Sequence, residues 1–244
     1  MEAAASPLVV LVHGAWHGAW CWATLQRELD LRGIPSLAVD LPGHGASTEP
    51  LADLAADAAA VSAVLAKFRR PIVLVGHSYG GAVISEVDVA DNISGVGTDV
   101  FHLVYLTAFV LDEGESVIGL SGSMPEVPTA LGPAMVVADG ASTIDPEQAH
   151  RALYNRCDPM ITPANVARLC PQPFATFTQP ATRASWRHIP STYVRCLDDQ
   201  AIPLAHQDMM AARCTTVETL DTDHSPFVSM PAETAEIIAR IVRR

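Results

Sequence analysis

Several features are scarce in this sequence, and each scarcity closes off a class of function. No apolar run approaches the roughly 18 residues that a membrane-crossing helix needs, so no membrane partner is expected. Basic residues number 15 against 27 acidic ones, a net charge of -12. Such a balance argues against nucleic acid or an anionic membrane surface as partner. The five cysteines (Cys21, Cys157, Cys170, Cys196, Cys214) are odd in number and show no C-x-x-C spacing. They read as reduced thiols of a cytoplasmic protein, not as a disulfide frame or a zinc site. The nine histidines lack H-E-x-x-H or other ligand spacing, so no metal is expected. Neither G-x-G-x-x-G nor a Walker motif occurs, and no nucleotide cofactor is indicated. The start, Met1 to Pro7, lacks the positive charge of a secretory leader, and the apolar residues 8–12 are too few for its core. The expectation is a soluble, cytoplasmic protein with no cofactor.

What is present is a chain of 244 residues, 49% hydrophobic, enough to bury a core as one domain with an inserted subdomain. Its organising stretch is Ile72-Val73-Leu74-Val75-Gly76-His77-Ser78-Tyr79-Gly80-Gly81. The stretch opens as a β-branched apolar run, as suits a strand buried on both faces. It then passes through Gly76-x-Ser78-x-Gly80 into an amphipathic helix, the pattern of a nucleophile elbow. A sharp strand-to-helix turn strains the central residue and leaves no room for a Cβ on either side of it. The serine is thereby held at a helix N-terminus, where free N–H groups favour developing negative charge.

Around the elbow the chain alternates. Strands are expected at 8–12, 34–39 and 100–108, with helices at 20–32, 51–68 and 79–89 and a polar loop at 91–99. This β, α, β rhythm implies right-handed crossovers and a doubly wound parallel sheet. From 110 to 185 the rhythm breaks: prolines recur, no clear strand appears, and short helices are expected at 146–153 and 163–169. We read 110–185 as a small cap inserted in a core made of 1–109 and 186–244, since long connections in such proteins are usually functional. A strand at 192–197, a helix at 204–213, a strand at 215–220 and a closing helix at 231–244 complete the core.

A serine hydroxyl needs a base, and an imidazole base needs a carboxylate to fix its tautomer. In this architecture the chain order is Ser…Asp/Glu…His, each partner following a late strand. Ser78, Asp199 and His224 fit that order, with Asp198 as the alternative acid and Asp112 as an outside candidate. The His13-Gly14 pair directly after the first strand is where part of an oxyanion hole would lie. The expected donors are the backbone N–H groups of Ala15 and Tyr79. His13 itself reads as a structural hydrogen-bonding residue, and so do Asp40 and His44, which sit four apart on a loop before the nucleophile. Trp16 is expected to line the substrate pocket.

With the triad placed, the chain resembles the α/β-hydrolase superfamily over nearly its whole length. More narrowly it resembles the branch of plant methylesterases, hydroxynitrile lyases and related bacterial esterases. The resemblance is carried by Leu11-Val12-His13-Gly14-Ala15-Trp16-His17-Gly18-Ala19-Trp20-Cys21-Trp22, by Val75-Gly76-His77-Ser78-Tyr79-Gly80-Gly81, by Val104-Tyr105-Leu106-Thr107-Ala108-Phe109 and by Asp223-His224-Ser225-Pro226-Phe227. It implies Ser78 as nucleophile, His224 as base, Asp199 as acid, and Ala15 and Tyr79 as oxyanion donors. The lyases with this triad characteristically carry threonine in place of Gly14 and lysine in place of Ser225, so the resemblance leans toward ester hydrolysis. The expected function is a serine carboxylic ester hydrolase on a small, largely uncharged ester, with a homodimer as a possible assembly. The alternatives are a cyanohydrin lyase using the same triad, and a non-catalytic ligand receptor on the same scaffold.

Overall fold

The computed structural model describes residues 6–88 and 99–244. The expected loop at 91–99 therefore lies, apart from Asp99, outside the described residues. Six strands form one parallel sheet: β1 (Leu8–Val12), β2 (Ser36–Val39), β3 (Ile72–Ser78), β4 (Val100–Ala108), β8 (Ser191–Cys196) and β9 (Thr216–Leu220), in the spatial order β2-β1-β3-β4-β8-β9. The order reverses between β1 and β3, so β3 sits in the interior of the sheet with its seven residues fully buried.

Alternation along β3 explains why both faces are covered. Ile72 and Leu74 point into a core shared with Leu54, Val61 and Leu65 of helix α2 (Leu54–Leu65) and with Val83 of α3 (Tyr79–Glu86). Val73 and Val75 point the other way. There they meet Leu25 and Leu29 of α1 (Ala23–Leu31) and Ile237, Ile238 and Ile241 of the closing helix α8 (Pro231–Val242). Two apolar cores with period 2 between them are what a doubly wound sheet requires.

Several boundaries differ from expectation for local reasons. Helix α2 starts three residues late because Asp53 caps it, its carboxylate accepting the Ala56 N–H at 2.9 Å. The expected helix at 20–32 divides into a 3-10 turn (Ala19–Trp22) and α1. Helix α3 stops at Glu86, where Ser185 Oγ donates to the Ser85 and Val87 carbonyls at 2.9 and 2.7 Å.

The larger correction concerns residues 110–185. Helices α4 (Val117–Ser123), α5 (Pro146–Leu153) and α6 (Thr162–Val166) are accompanied by a three-stranded antiparallel sheet where no strand was expected. Its strands are β5 (Met135–Ala138), β6 (Ala141–Ile144) and β7 (Gln172–Pro173). Asp139 and Gly140 join β5 to β6 with φ of 50° and 78°, and Ala138 pairs with Ala141. That is a two-residue Asp-Gly hairpin with both central residues left-handed, a signal present in the sequence and passed over. The other strands are too short to announce themselves by period. Further on in the core, helix α7 (Leu204–Ala211) packs beside β8.

Candidate active site

The elbow forms because its neighbours have no side chains. Ser78 has φ 51° and ψ -120°, a left-handed conformation at the junction of β3 and α3. A Cβ on Gly76 would lie 2.4 Å from the Gly80 carbonyl oxygen, and one on Gly80 would lie 2.5 Å from the Val12 oxygen. No L side chain fits either place. Of the four non-glycine residues with positive φ among the described residues, three (Trp16, Ser78 and Thr107) border this site, and the fourth is Asp139 of the hairpin. Strain of this kind collects where function over-determines the backbone.

Asp199 lies in the loop after β8 and His224 in the loop after β9, and the two meet. His224 Nδ1 is 2.7 Å from Asp199 Oδ2, both side chains being almost wholly buried. A carboxylate only accepts, so the imidazole carries its proton on Nδ1 and leaves Nε2 as the basic nitrogen. Asp199 Oδ2 also accepts from Thr107 Oγ1 at 2.5 Å, while Oδ1 accepts the Ala201 and Ile202 N–H groups at 2.7 and 2.8 Å. Four donors on two oxygens satisfy a buried anion and fix its plane. Asp198 turns outward instead, bonded to Asn155 and paired with Arg156 at 3.0 Å. Asp112 is engaged with Arg187.

Ser78 and His224 do not share a hydrogen bond here. His77 stands between their backbones: its Nε2–H donates to the His224 carbonyl at 2.7 Å, and its ring lies 4.6 Å from that of His224. Links between nucleophile and base are often long before substrate binds. Burial pushes His77 well below its ordinary value, so it is a neutral fixture and not a second base.

On the opposite side, the loop after β1 brings Ala15 against the elbow. Neither the Ala15 nor the Tyr79 N–H has an acceptor among the described residues, and both residues line one cavity together with Ser78. Helix N-terminal and turn amides of this sort are ready-made anion donors. His13 holds the loop from beneath, its Nδ1–H donating to the Gly14 carbonyl and its Nε2 accepting the Leu41 N–H at 3.1 Å. Burial lowers it to about 3, so it stays neutral. Asp40 is a bracket, accepting the Ala19 and Ala46 N–H groups at 2.6 and 3.0 Å. His44 donates from Nδ1 to the Pro42 carbonyl.

The cavity encloses about 280 Å³ and is walled by Trp16, Phe109, Ile118, Leu131, Phe174 and Phe177, with His206 but no Asp, Glu, Lys or Arg in its lining. Trp16 is fixed from both ends: its Nε1–H donates to Ser142 at 3.1 Å, and its carbonyl accepts the Cys170 N–H at 2.9 Å. Half of the lining residues, Val117, Leu131, Met135, Phe174 and Phe177 among them, come from residues 110–185.

Sequence reasoning passed over Thr107 and Asp223. Thr107 was visible only as part of the run that ends β4, and its positive φ has no signature in sequence. Asp223 is fully buried, and its carboxylate accepts from Arg156 N–H, Cys157 Sγ, Ser225 N–H and Ser229 Oγ. Among the described residues no cluster of three or more His, Cys, Asp or Glu is arranged to hold a metal, and no helix is long and apolar enough to cross a membrane.

Comparison with known proteins follows the same line. The model of the alpha/beta hydrolase family matches residues 9–237. The chain is 30% identical to the alpha/beta hydrolase nvfD of Aspergillus novofumigatus, covering 97% of this chain and 95% of that one. It is 25% identical to the putative methylesterase 15, chloroplastic, of Arabidopsis thaliana over 99% of its own length, but spans only 58% of that protein. Among solved structures, a pyrethroid hydrolase from Sphingobium faniae superposes with a TM-score of 0.82 at 26% identity, with 97% of each chain covered. The chain belongs to the alpha/beta hydrolase family, and its relatives there include carboxylic ester hydrolases.

Proposed function

We propose that the protein is a serine carboxylic ester hydrolase that turns over a small, largely uncharged ester through an acyl-enzyme. The observation that carries this is the buried 2.7 Å pair of His224 Nδ1 and Asp199 Oδ2 beside a left-handed serine. That serine opens on a mostly apolar cavity with no Asp, Glu, Lys or Arg in its lining. The names of the methylesterase and pyrethroid hydrolase relatives support the same reaction class. Ser78 Oγ attacks the ester carbonyl while His224 Nε2 takes the hydroxyl proton. The oxygen that becomes negative accepts from the Ala15 and Tyr79 N–H groups. Collapse breaks the carbonyl–alkoxide bond, and His224 returns the proton to the departing alcohol. Water then adds to the acyl-serine with His224 again as base, giving the carboxylic acid and free Ser78. Asp199 keeps the imidazole in the tautomer both halves need.

The division into a core of 1–109 and 186–244 and a cap of 110–185 is part of the proposal, the cap selecting the ester by its apolar wall. The cytoplasm is the proposed setting, consistent with five free thiols. Two features favour hydrolysis over cyanohydrin cleavage. Ser225 brings no positive charge to the base, and a Cβ at Gly14 would lie 2.8 Å from His77 Nδ1 and 2.9 Å from Ser78 Cβ, so threonine has no room there.

The test is release of p-nitrophenol from p-nitrophenyl butyrate by wild type and Ser78→Ala. The variant should lose at least about 10³-fold in kcat while remaining folded. Substantial turnover by Ser78→Ala would sink the assignment. Mandelonitrile is the companion substrate: faster cleavage of it than of any ester would move the protein to the lyases.

A further inference from the structure

Helix α5 ends at Leu153, and the tight turn after it reaches three loops of the proposed machinery, those after β1, β8 and β9. The turn is closed by the Cys157 N–H on the Tyr154 carbonyl at 2.9 Å. Tyr154, wholly buried, donates its hydroxyl to His17 Nε2 at 2.7 Å. His17 Nδ1–H donates in turn to the Ala15 carbonyl at 2.8 Å. Burial lowers His17 to about 4, so the ring is neutral and its single N–H is committed to that carbonyl. Tyr154 thus braces the loop that carries the Ala15 amide. Asn155 Nδ2 donates to the Asp198 carbonyl and carboxylate, at 3.1 Å each, on the loop of the acid. The Arg156 N–H and Cys157 Sγ donate to Asp223 Oδ2 at 2.9 and 3.3 Å, one residue before the base. The Arg156 guanidinium spans both late loops, pairing with Asp198 at 3.0 Å and Asp221 at 2.9 Å.

We propose that the 154–157 turn is a positioning clasp that sets the registry of the oxyanion, acid and base loops against one another. This role rests on the ester-hydrolase function proposed above. The three loops leave β1, β8 and β9, strands that the sheet fixes at their roots but not at the loop tips. Catalytic groups tolerate only about 0.5 Å of misplacement, so some element has to tie the tips together. The turn does this with hydrogen bonds to each, buried at Tyr154 and Cys157 and part-buried at Asn155 and Arg156. None of its four residues lines the cavity, so it acts through the loops and not on the substrate.

The consequence is a split between kcat and KM. In Asp223→Asn an NH2 replaces one of the two accepting oxygens, so either the Arg156 or the Ser225 N–H loses its acceptor, while the Cys157 thiol or the Ser229 hydroxyl can turn to accept. If the clasp sets the registry, kcat on p-nitrophenyl butyrate falls about 10²-fold, while KM stays within about two-fold because ground-state binding is untouched. Tyr154→Phe and Asn155→Ala, which remove single ties, lower kcat about tenfold with the same KM. Arg183→Ala is the matched control. It cuts ion pairs from the same segment to Glu86 and Asp88, away from the three loops, and leaves kcat unchanged. Circular dichroism confirms folding of each variant, and if Asp223→Asn does not fold, Tyr154→Phe and Asn155→Ala decide. A wild-type kcat in the folded clasp variants, or a raised KM at constant kcat, overturns the clasp alone, provided that Ser78→Ala is inactive. Full turnover by Ser78→Ala overturns the esterase function and the clasp with it.

Discussion

Strands β3 and β5 begin with similar sequences, Ile-Val-Leu-Val and Met-Val-Val-Ala, yet are buried very differently. The first is fully buried; the second leaves Val136 and Val137 about half exposed, at 50% and 49%. Position in the topology decides this, not hydrophobicity. Strand β3 lies between β1 and β4 in a sheet covered by helices on both faces, whereas β5 is an edge of a three-stranded sheet. The central sheet is held by continuous apolar burial. The 110–185 segment shares in that core through Leu120, Leu153 and Phe177 and adds polar attachments on the side facing the site: Trp16 to Ser142, Tyr154 to His17, Asn155 to Asp198 and Arg156 to Asp223. A fold built this way can vary the second region without unmaking the first.

The largest expected effect is on the first region, through acid. His13, His17 and His102 are buried, their values lowered by burial to about 3, 4 and 4 from an ordinary 6.5. Below about pH 6.5 the unfolded chain binds protons at these rings that the folded chain refuses, so stability is lost as pH falls from there toward 4. Several kcal/mol are at stake, since each tenfold difference in proton affinity between folded and unfolded chain is worth about 1.4 kcal/mol. Melting followed by circular dichroism should show Tm dropping by more than about 10 °C between pH 7 and pH 4.5. A flat profile would mean that these rings are protonated in the fold and that water reaches the core around them.

Next in size is Leu74→Ala. The residue is fully buried in β3, and truncating such a leucine costs about 2–5 kcal/mol in lost transfer energy and residual cavity. For a chain of this size that is roughly 5–15 °C in Tm. A loss under about 1 kcal/mol would show that the centre of the sheet repacks freely, erasing the contrast with β5.

This same contrast governs what can be read in the sequence. β3, β4 and the elbow are legible because their cause is local: a β-branched run, and glycines at fixed offsets from Ser78. Asp199 and His224 are legible as candidates because each follows a recognisable strand. Which aspartate faces the imidazole is not, since Asp198 and Asp199 differ only in the direction their loop turns. Thr107 joins Asp199 across 92 positions, and Cys157 joins Asp223 across 66, at distances no periodicity encodes. The β5–β6 hairpin is different again. Its Asp139-Gly140 turn was there to be read, but prolines on either side of it suggested irregular chain.

A smaller effect sharpens the comparison where the two regions touch. Asp57 of α2 is buried beneath the elbow, with Oδ2 accepting the Tyr79 hydroxyl at 2.7 Å and Oδ1 without a partner. Burial raises it to about 7, against the partial opposition of the Tyr79 bond and with a further push from Asp53. Here the sign is opposite to that of the histidines. The folded chain holds a proton that the unfolded chain has released, so stability contributed by Asp57 is present near pH 4 and lost as pH rises through 7. Asp57→Asn should therefore raise Tm at pH 8, by at most the equivalent of about 4 kcal/mol, and by less than half as much at pH 5, where the unfolded carboxyl is already mostly ionised. An equal shift at both pH values would assign the effect to packing and not to charge.

The smallest effect belongs to the outer face of β5. Val136→Thr and Val137→Thr keep the β-branch and so preserve strand propensity, replacing a methyl by a hydroxyl. With each valine about half exposed, little transfer energy is at risk, and substitutions at such places lie within about 0.5 kcal/mol. Stability and kcat are both expected to stay at wild-type values in the double variant. The informative failure is a loss of more than about 1 kcal/mol that grows on dilution, because concentration dependence is the mark of linked association. Those valines would then be covered in solution by a second copy of the chain, and β5 would owe to assembly the burial that β3 owes to the sheet.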